Sequence, residues 1–388
     1  MASALFIATV VKTVEGFLLP FARHFRGRGM RVDAMAKGIS QSAECRAAFD
    51  RVWDIDWSRN PRDVSNFSKA PRLIRAVVAE QGYDLVHVHT PVAAFVTRYA
   101  LRKKRRQGRP KVIYTAHGFH FFKGGHRLGN GVFLALERIA GRWTDYLVVI
   151  NREDEEAARR YQIVPADRVQ YMPGIGVDTG WFDPARVLPQ DVARVRGELG
   201  LAPGQPLFLV SAEFTPNKRH VDVVTAFARL NHPSAHLALA ATGPLLSHIQ
   251  ALVSELRLSD RVHFLGFRND MRELIRASTA LLLPSAREGL SRSVMEALSL
   301  EVPVAGSDIR GTRELLSDDC GLLFNFGDVD GLQRAMSWIL DNPAAAQAMA
   351  RRGRLKMVER FDTKIVVRAH EKLYARALVT DQRATQPA

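Results

Sequence analysis

Short apolar segments alternate with longer amphipathic segments along most of this chain. In the first half, apolar segments of strand length alternate with segments that have the spacing of helices. Because strands separated by helices form right-handed βαβ units, this order predicts a parallel sheet with helices on its faces. The predicted strands are Phe6–Val11, Arg31–Ala36, Leu85–Val88, Val112–Thr115 and Tyr146–Ile150, and the predicted helices are Phe17–Arg28, Leu73–Glu80 and Ala93–Arg102.

The same alternation begins again after Pro203-Gly204 and predicts a second parallel sheet. The segment 183–204 contains three prolines and predicts a linker that carries a helix. A chain of 388 residues exceeds one typical domain, and its 47% hydrophobic content suffices for sizeable cores. The predicted strands are Leu207–Ala212, His236–Ala241, Val262–Leu265, Ala280–Leu283 and Val304–Ala305, and the predicted helices are His220–Leu230, Leu246–Leu256, Met271–Ala277, Ser293–Leu300, Leu332–Leu340 and Thr363–Leu378.

The segment from Ser285 to Glu301 carries the main indication of a ligand site. A predicted strand ends near Pro284, a loop carries Glu288, and the following helix carries Glu296 in its first turns. In open α/β sheets, ligands bind beyond the carboxyl ends of strands and at the amino ends of helices. Two carboxylates placed there could bind neighbouring hydroxyls of a polyol such as a sugar nucleotide.

Each glutamate also has a simpler interpretation. Ser293 and Glu296 have the spacing of a helix capping box, in which the glutamate only returns to a backbone N–H group. Glu288 could be a solvated loop residue. The spacing by itself favours neither interpretation over the other.

A lysine and two aspartate pairs bear on phosphate and metal binding. Lys218 follows the predicted strand Leu207–Ala212, where a lysine can neutralise a diphosphate leaving group if helix N-termini assist. The Asp-x-Asp spacing of metal-dependent transferases occurs at Asp54–Asp56 and at Asp328–Asp330. The first pair lies in a polar loop and the second is expected to cap a helix. We therefore predict no metal site and no cofactor.

Three histidines lie at or near the carboxyl ends of predicted strands in the first half. His117 follows the strand Val112–Thr115, and Gly118 after it would allow a ligand to approach the backbone closely. His87 and His89 alternate on one strand and therefore face the same side of the sheet. Because the sequence indicates no third metal ligand, packing or contact with an acceptor is the favoured role of this pair.

The formal charge of the chain is +15, and it is concentrated in the first half. Residues 1–190 have 30 Lys and Arg against 18 Asp and Glu, whereas residues 191–388 have 25 against 22. The densest run is Arg102-Lys103-Lys104-Arg105-Arg106. It predicts an anionic partner, either nucleic acid, an anionic lipid surface or a phosphate-bearing substrate, unless the run is a solubilising loop. Nucleic acid is disfavoured because no DNA-binding or stacking-aromatic motif lies beside the run.

The sequence indicates neither a targeting segment nor a membrane-spanning one. The apolar start, Ala2–Val11, lacks a basic leader, and no segment has about 18 uninterrupted apolar residues. Cys45 and Cys320 lie far apart without Cys or His at metal-ligand spacing, so two buried thiols in a reducing compartment are expected. These features predict a cytoplasmic protein.

Several of these segments together resemble family 4 of the glycosyltransferases. The signature is Glu288-Gly289-Leu290 followed by Glu296-Ala297-Leu298, with seven residues between the two glutamates. The likeness covers roughly residues 5–376, and the pieces in the first half resemble bacterial exopolysaccharide and capsule members. Further matching pieces, in the family's order, are His87–Pro91, Tyr114–His120, Pro173–Asp178, Lys218, Thr242–Pro244, Val262–Gly266, Leu283–Ser285, Gly311–Leu315 and Gly321–Leu323.

The resemblance implies the GT-B fold, in which two doubly wound, Rossmann-like α/β domains face each other across a cleft. It implies an acceptor-binding domain at 1–190, a nucleotide-sugar domain at 191–360, and a final helix and tail at 361–388 that return to the first domain. The implied activity is retaining, metal-independent transfer from a nucleotide-sugar, with UDP expected, to a saccharide acceptor. The subtype and the basic first half favour a lipid-linked acceptor of surface polysaccharide biosynthesis and peripheral association with an anionic membrane.

The resemblance also implies a role for each candidate site residue. Glu296 would bind the ribose hydroxyls, Lys218 the diphosphate, and Glu288 the sugar. His117 would contact the donor near the reaction centre. Apart from the resemblance, the five contiguous cations of Arg102–Arg106 make this run the expected contact with the membrane or the acceptor. The backbone groups expected at the sugar are those of Gly289, Leu290 and Ser291.

Two residues depart from the family pattern. Glu213 stands where many members have arginine, which leaves Lys218 without its usual cationic companion, although Arg219 is adjacent. Glu301 stands where glycine commonly ends the helix, and a side chain would be strained there in a left-handed conformation. Three other functions stay open: a sugar-nucleotide 2-epimerase of the same architecture, a non-catalytic sugar-nucleotide-binding protein, and a nucleic-acid-binding protein that only the charge supports.

Overall fold

Within the residues that the structure describes, two parallel sheets with helices on both faces divide the chain into two units. The computed structural model describes residues 1–58, 63, 65–122 and 124–382. Unit one consists of Met1–Ile175 together with the described residues from Val366 onward, and unit two consists of Gly176–Ile365. The predicted α/β class with two doubly wound, Rossmann-like domains is confirmed. Among the described residues, no helix is both long enough and apolar enough to cross a bilayer.

The sheet of unit one is parallel throughout its described strands. In chain order the strands are β1 (Ser3–Val10), β2 (Arg31–Lys37), β3 (Val52–Asp54), β4 (Leu85–His89), β5 (Lys111–Ala116), β6 (Tyr146–Val149) and β7 (Val169–Tyr171). Across the sheet, the order is β3-β2-β1-β4-β5-β6-β7. The strand order reverses between β1 and β4, so the carboxyl ends of these strands flank the kind of crevice in which open α/β sheets bind ligands.

Helices cover both faces of this sheet. They are α1 (Val11–Phe17), α2 (Leu19–Gly27), α3 (Ala43–Ala48), α4 (Ser65–Gln81), α5 (Pro91–Leu101), α6 (Arg127–Gly141) and α7 (Arg152–Arg160). Helices α1 to α3 pack with Phe6 and Ile113 on one face, whereas α4 to α7 pack with Val88 and Tyr114 on the other. The alternation of side chains along each strand therefore supplies both cores.

Unit two repeats this arrangement. Its strands are β8 (Leu207–Val210), β9 (His236–Leu239), β10 (Val262–Phe264), β11 (Ala280–Leu283), β12 (Val304–Ser307) and β13 (Leu322–Phe324), and they are parallel in the order β10-β9-β8-β11-β12-β13. Its helices are α8 (Pro189–Glu198), α9 (His220–Ala228), α10 (Leu246–Glu255), α11 (Met271–Ala277), α12 (Arg292–Ser299), α13 (Arg310–Leu316), α14 (Val329–Asp341) and α15 (Pro343–Lys356).

The last helix, α16 (Thr363–Gln382), begins at the end of unit two and then packs in unit one. Leu373 and Tyr374 of α16 are buried in the same core as α1 to α3. The division between the units also falls before the predicted one at residue 190. The reason is that Val177 and Phe182, which precede that residue, pack in the core of unit two.

Several elements differ from the sequence prediction. The predicted helix Phe17–Arg28 corresponds to α2, which begins at Leu19, and the helix α1 before it was not predicted. Pro20 stands in the first turn of α2, where its missing N–H group is tolerated. The short strands β3, β7 and β13 and the fifteen-residue helix α6 were not predicted. Phe119 and Phe121, which stand beside His117 in the sequence, are buried in the core of unit one.

A buried ion pair fixes α5 against α6 in unit one. Arg98 is 1% exposed, and its guanidinium donates to Glu137 Oε2 at 3.0 Å and to the Ala94 carbonyl at 3.1 Å. Its Cζ atom lies 4.1 Å from the centre of the Tyr114 ring. Because the Glu137 side chain is itself largely buried, Arg98 neutralises a carboxylate that water scarcely reaches.

We expect Arg98→Ala to lower the free energy of unfolding by about 3–5 kcal/mol, because the Glu137 carboxylate stays buried without its partner. Arg334 is the matched control, since its guanidinium is 68% exposed and its pair with Asp328 lies at the surface. Arg334→Ala should cost less than about 1 kcal/mol. Urea denaturation followed by circular dichroism measures both variants, and equal losses would contradict the role assigned to Arg98.

Candidate active site

The predicted site residues Lys218 and Glu288 form an ion pair at the carboxyl edge of the sheet in unit two. Lys218 ends the short helical turn Pro216–Lys218 after β8, and Glu288 lies in the loop between β11 and α12. Because β8 and β11 are hydrogen-bonded neighbours, the loops that follow them meet at this edge. Lys218 Nζ lies 2.5 Å from Glu288 Oε1, and both side chains are largely buried. The solvated-loop interpretation of Glu288 is therefore wrong.

Hydrogen bonds to main-chain carbonyl groups hold the two loops together. Asn217 Nδ2 donates to the Arg287 carbonyl at 3.0 Å, and the Ala286 N–H group donates to the Asn217 carbonyl at 2.8 Å. Asn217 directly precedes Lys218, and Arg287 directly precedes Glu288. The position of the pair is therefore set by the backbone and does not depend only on two long side chains.

Gly311 lets helix α13 approach the loop that carries Glu288, Gly289 and Leu290. A Cβ atom at Gly311 would lie 1.6 Å from the Gly289 carbonyl oxygen, so no other residue fits there without moving the loop. Arg310 Nε also donates to the Glu288 carbonyl at 3.3 Å. These contacts fix the loop whose backbone is predicted to meet the sugar.

Glu296 is a buried carboxylate on α12 with a cationic partner one turn earlier. It is 7% exposed, and its Oε1 atom accepts from Arg292 Nε at 2.7 Å. Burial raises the pKa of the Glu296 carboxyl, and the Arg292 guanidinium opposes that rise. Ser291 is the N-cap residue, its hydroxyl makes no capping hydrogen bond, and Ser293 lies inside the helix. The capping-box interpretation of Ser293 and Glu296 is therefore wrong.

The two departures from the family pattern differ in their consequences. Glu301 follows α12 with a left-handed φ of 56°, the strained conformation expected at a position that favours glycine. Its carboxylate lies 3.9 Å from the Arg354 guanidinium. Glu213 is exposed in the loop after β8. The adjacent Arg219 donates to both carboxylate oxygens of Asp222, each at 2.8 Å, so its guanidinium is engaged in its own helical turn.

In unit one, His117 lies against a cluster of buried histidines at the end of β4 and β5. His117 Nε2 is 3.1 Å from His89 Nδ1, and the His89 ring lies 4.3 Å from that of His87. His87 in turn bonds Tyr374 of α16 through Nδ1 at 2.5 Å. The ring of His370, also on α16, lies 5.6 Å from that of His87. The space that these rings line is about 10 Å³, room for one water molecule at most.

One hydrogen bond couples the tautomer of His117 to that of His89. His117 Nε2 and His89 Nδ1 lie 3.1 Å apart, and because both rings are neutral, one of these nitrogens donates and the other accepts. When His89 carries its proton on Nδ1, His117 Nε2 accepts and His117 carries its own proton on Nδ1. That tautomer would present an N–H donor rather than a base on that side of the ring.

Burial keeps the cluster neutral at physiological pH. Burial, and secondarily the nearby His370, lowers the pKa of His117 to about 4. The pKa of His370 also falls to about 4 because of burial, although its bond to the Val366 carbonyl opposes the fall. Among the described residues, no group of three or more His, Cys, Asp or Glu could hold a metal ion. Since both His87 nitrogens are hydrogen-bonded, to Tyr374 and Thr115, this residue serves packing.

The basic run contributes to a groove on unit one. Arg102, Lys103 and Lys104 line it together with Arg72 and Arg75 of α4, and its volume is about 570 Å³. The Arg105 and Arg106 side chains, which belong to the same predicted contact, lie outside the described residues. The run is thus at the surface, and part of it forms a concave cationic site.

Comparisons with known proteins identify the family of this chain. The profile described as Glycosyltransferase Family 4 matches residues 14–181, and the profile described as Glycosyl transferases group 1 matches residues 191–356. EpsD of Bacillus subtilis (strain 168), named as a glycosyltransferase, is 33% identical over 374 residues, which are 96% of this chain and 96% of EpsD. This chain belongs to glycosyltransferase family 4. The predicted recognition, including its polysaccharide-biosynthesis type, is confirmed.

Two further likenesses each cover most of the chain. The UDP-Gal:alpha-D-GlcNAc-diphosphoundecaprenol alpha-1,3-galactosyltransferase of Escherichia coli is 26% identical over 292 residues, 74% of this chain and 73% of that enzyme. The structure of Anabaena Alr3699/HepE in complex with UDP-glucose superposes with a TM-score of 0.80 at 19% identity, covering 97% of this chain and 100% of that one. The predicted GT-B fold of this family 4 enzyme is confirmed.

Some residues of the candidate site of this glycosyltransferase were not predicted from the sequence. Arg292 could have been found, because it stands four positions before Glu296, the spacing at which helical ion pairs form. Asn217 and Gly311 act through the backbones of other loops, and His370 reaches its cluster from 283 positions beyond His87. Only the tertiary structure brings these residues to the site.

We expect acid to destabilise this family 4 enzyme through its neutral histidines. His117, His220 and His370 have folded pKa values of about 4, whereas an unfolded histidine has about 6.5. The unfolded chain therefore binds protons first as the pH falls. The free energy of unfolding should drop between about pH 6.5 and 4, with up to ~1.4 kcal/mol per pH unit from each histidine.

Urea denaturation at several pH values measures this slope. His370→Gln keeps a donor for the Val366 carbonyl but cannot titrate, so its slope should be shallower than that of the wild type. His248→Gln is the control, because His248 is exposed. A wild-type stability that does not change across this range would contradict the neutral cluster.

Proposed function

We propose that this glycosyltransferase is a retaining, metal-independent enzyme that transfers a sugar from a UDP-sugar to a lipid-linked saccharide in surface polysaccharide biosynthesis. The observation that carries the proposal is the Lys218–Glu288 pair at the carboxyl edge of unit two, joined to the helix that buries Glu296. The printed name of the Escherichia coli relative, with UDP-Gal as donor and a diphosphoundecaprenol acceptor, supports the choice of both substrates. The UDP-glucose bound to HepE supports the nucleotide.

Lys218 would neutralise the diphosphate of the donor. In the structure, its ammonium group is held by Glu288, and a diphosphate carries enough negative charge to compete for it. Once Lys218 turns to the phosphates, the Glu288 carboxylate becomes available for sugar hydroxyls. The backbone of Gly289, Leu290 and Ser291 leads into the N-terminus of α12, where free N–H groups and the helix dipole favour negative charge.

Glu296 would hold the ribose. Its burial makes an ionised carboxylate unfavourable, and the Arg292 guanidinium offsets part of that cost. An ionised carboxylate can accept hydrogen bonds from two neighbouring hydroxyls, and such charge-assisted bonds are stronger than neutral ones. A ribose presents two such hydroxyls.

The chemistry would not require a strong protein base. In the same-face displacement that the family implies, the departing phosphate oxygen helps to take the proton of the acceptor hydroxyl. The neutral His117, with its proton on Nδ1, would donate a hydrogen bond to an oxygen atom of the nucleotide-sugar at the reaction centre. Lys218 would stabilise the charge that develops on the diphosphate, which is the electrostatic part of the catalysis.

The Asp-x-Asp segments have other partners in the structure. Asp328 caps α14 by accepting from the Gly331 N–H group at 2.7 Å, as predicted. Asp330 pairs with Arg229 at 2.5 Å, and Asp56 pairs with Lys37 at 2.7 Å. These contacts support the proposal that catalysis relies on Lys218 and helix N-termini in place of a divalent ion.

The ribose role predicts a loss of nucleotide binding. Glu296→Ala should weaken the binding of free UDP by about 1.5–3 kcal/mol, because charge-assisted hydrogen bonds are lost. Arg292→Ala is the control for an effect through the helix, since it breaks the same ion pair but keeps the carboxylate. Isothermal titration calorimetry separates the two, and a Glu296→Ala variant that binds UDP like the wild type would exclude the ribose role.

Substitutions of Glu288 and of Lys218 should affect UDP binding and donor turnover differently. Glu288→Ala frees Lys218 for the diphosphate, so the affinity for UDP should stay the same or increase while turnover of the intact donor falls. Lys218→Ala should weaken UDP binding. Calorimetry with UDP and a nucleotide-release assay with UDP-sugars measure the two effects. Weaker UDP binding by Glu288→Ala would contradict the division of roles.

Turnover should survive chelation. Nucleotide release in excess EDTA is expected to equal that with added magnesium or manganese. Activity that disappears with EDTA and returns with either ion would show that the metal-independent mechanism is wrong. Incubation with donor alone adds a check on the reaction class, because an epimerase would change the sugar, whereas a transferase would only hydrolyse the donor slowly.

A further inference from the structure

Helix α6 of unit one presents an apolar stripe to solvent. Leu128 is 77% exposed, Val132 is 60% exposed and Ile139 is 44% exposed. Their spacing of four and seven positions places them on one face of the helix. Leu136 and Phe133 border the stripe and are also exposed. An exposed apolar surface of this length on a helix indicates an interaction site.

The opposite side of α6 already has its packing partners. Ala140 and Gly141 are buried, Leu134 packs against the core, and Glu137 is held by Arg98 of α5. A Cβ atom at Gly141 would lie 1.8 Å from the Ile163 carbonyl oxygen, so the helix is tightly seated. The stripe is therefore a second apolar face, additional to the one that holds α6 in the fold.

The exposed charged residues of helix α6 are arginines. Arg127, Arg138 and Arg142 are exposed along α6 and just beyond its end. In the sequence from 91 to 144 there are 12 Lys and Arg against one acidic residue, Glu137. Because Glu137 is largely buried and paired with Arg98, it does not neutralise the surface.

The cationic groove between α4 and α5 lies on the same face of the sheet as α6. Helices α4, α5 and α6 all pack on one core of unit one. Ring contacts link the groove to the end of α6: Tyr99, which lines the groove, lies 5.8 Å from Trp143, the second residue after α6. Phe95 contacts both Trp143, at 6.1 Å, and Phe67 of the groove, at 6.3 Å. The apolar stripe and the cationic groove are thus parts of one surface.

We propose that this surface, formed by α4, α5 and α6, docks on an anionic lipid bilayer. The stripe Leu128–Ile139 enters the interface between headgroups and acyl chains, and the groove lined by Arg72, Arg75 and Arg102 binds headgroup phosphates. A basic helix with exposed apolar residues on one face is typical of segments that lie in the membrane interface. The inference goes beyond the proposed function, which names a lipid-linked acceptor but no membrane-binding surface, and it does not require that the acceptor be lipid-linked.

The charge of this surface favours a bilayer over a second copy of the chain and over nucleic acid. A symmetric dimer through this face would bring the exposed arginines of α6, Arg127 and Arg138, near those of the second copy, which is unfavourable. Nucleic acid would suit the cations but would leave the apolar stripe in water. An anionic bilayer supplies both a negative surface, worth about 1 kcal/mol per nearby cation, and an apolar layer for the stripe.

An introduced thiol can report the insertion directly. Both native cysteines are buried, Cys45 at 0% and Cys320 at 2% exposure, so an environment-sensitive thiol label will react with an added surface cysteine. Leu128→Cys carries the label on the stripe, and Leu355→Cys, at an exposed leucine of unit two, is the matched control. With vesicles of phosphatidylglycerol and phosphatidylcholine, the label at position 128 should shift its emission to the blue, and the label at 355 should not. No shift at 128 would overturn the proposal.

Co-sedimentation with the same vesicles separates the apolar and the electrostatic contributions. The combined variant Leu128→Ser, Val132→Ser and Ile139→Ser should bind about tenfold more weakly or worse at every salt concentration. The groove variant Arg72→Gln, Arg75→Gln and Lys103→Gln should lose binding at about 0.1 M salt but match the wild type at about 1 M, where the Debye length falls from about 10 Å to about 3 Å. Thermal unfolding midpoints equal to that of the wild type show that the variants are folded.

Two outcomes would refute the docking surface. One is equal sedimentation of the stripe variant and the wild type. The other is a dimer that sedimentation velocity detects for the wild type but not for the stripe variant, while both bind vesicles equally. That result would assign the face to a second copy of the chain. Hydrolysis of the UDP-sugar should be unchanged in the stripe variant, because none of its three substitutions falls on a candidate site residue. Failure of the transferase assays would leave the vesicle results standing, so the two proposals fail separately.

Discussion

The candidate site depends on one constraint, the meeting of two loops at the carboxyl ends of the neighbouring strands β8 and β11. Their adjacency brings Lys218 to 2.5 Å from Glu288, although 70 positions separate them in the sequence. The Asn217 contacts and the close approach of Gly311 hold the backbone around that pair. In the proposed function Lys218 exchanges its carboxylate partner for a phosphate, and the backbone on either side of the pair is already fixed. Charged groups held in place before the reaction are what preorganised electrostatic catalysis requires.

The sequence predicted correctly those elements that local pattern determines. The strand Ala280–Leu283 was predicted with its observed bounds, because four apolar residues between turn signals are typical of a strand buried on both faces. The capping box failed because the helix starts at Arg292, one residue before the predicted start, which puts Ser293 inside it. His370 could not be predicted, since a histidine on a terminal helix joins the cluster at β4 only through the packing of α16. Local spacing cannot encode such contacts.

In both units burial disfavours charge on candidate site residues, and the neighbouring groups decide the outcome. In unit one, burial holds His117 and its neighbours neutral, and their ring nitrogens bond to one another or to hydroxyl and carbonyl groups. In unit two, burial raises the pKa of the Glu296 carboxyl, and the Arg292 guanidinium opposes that rise. The buried histidines of unit one therefore stay uncharged, whereas a neighbouring cation favours the charged form of the buried carboxyl in unit two.

In helix α6 the apolar pattern and the burial do not coincide. Sequence periodicity marks the apolar face of a helix as the face expected to pack in the core, whereas in α6 the apolar face with Leu128, Val132 and Ile139 is exposed. The helix is held from its other side, where Arg98 of α5 pairs with Glu137. Exposure of an apolar face to water is unfavourable, and a contact that removes it from water gains that free energy back. An amphipathic helix that turns its apolar face to solvent is therefore the local feature on which the proposed docking surface depends.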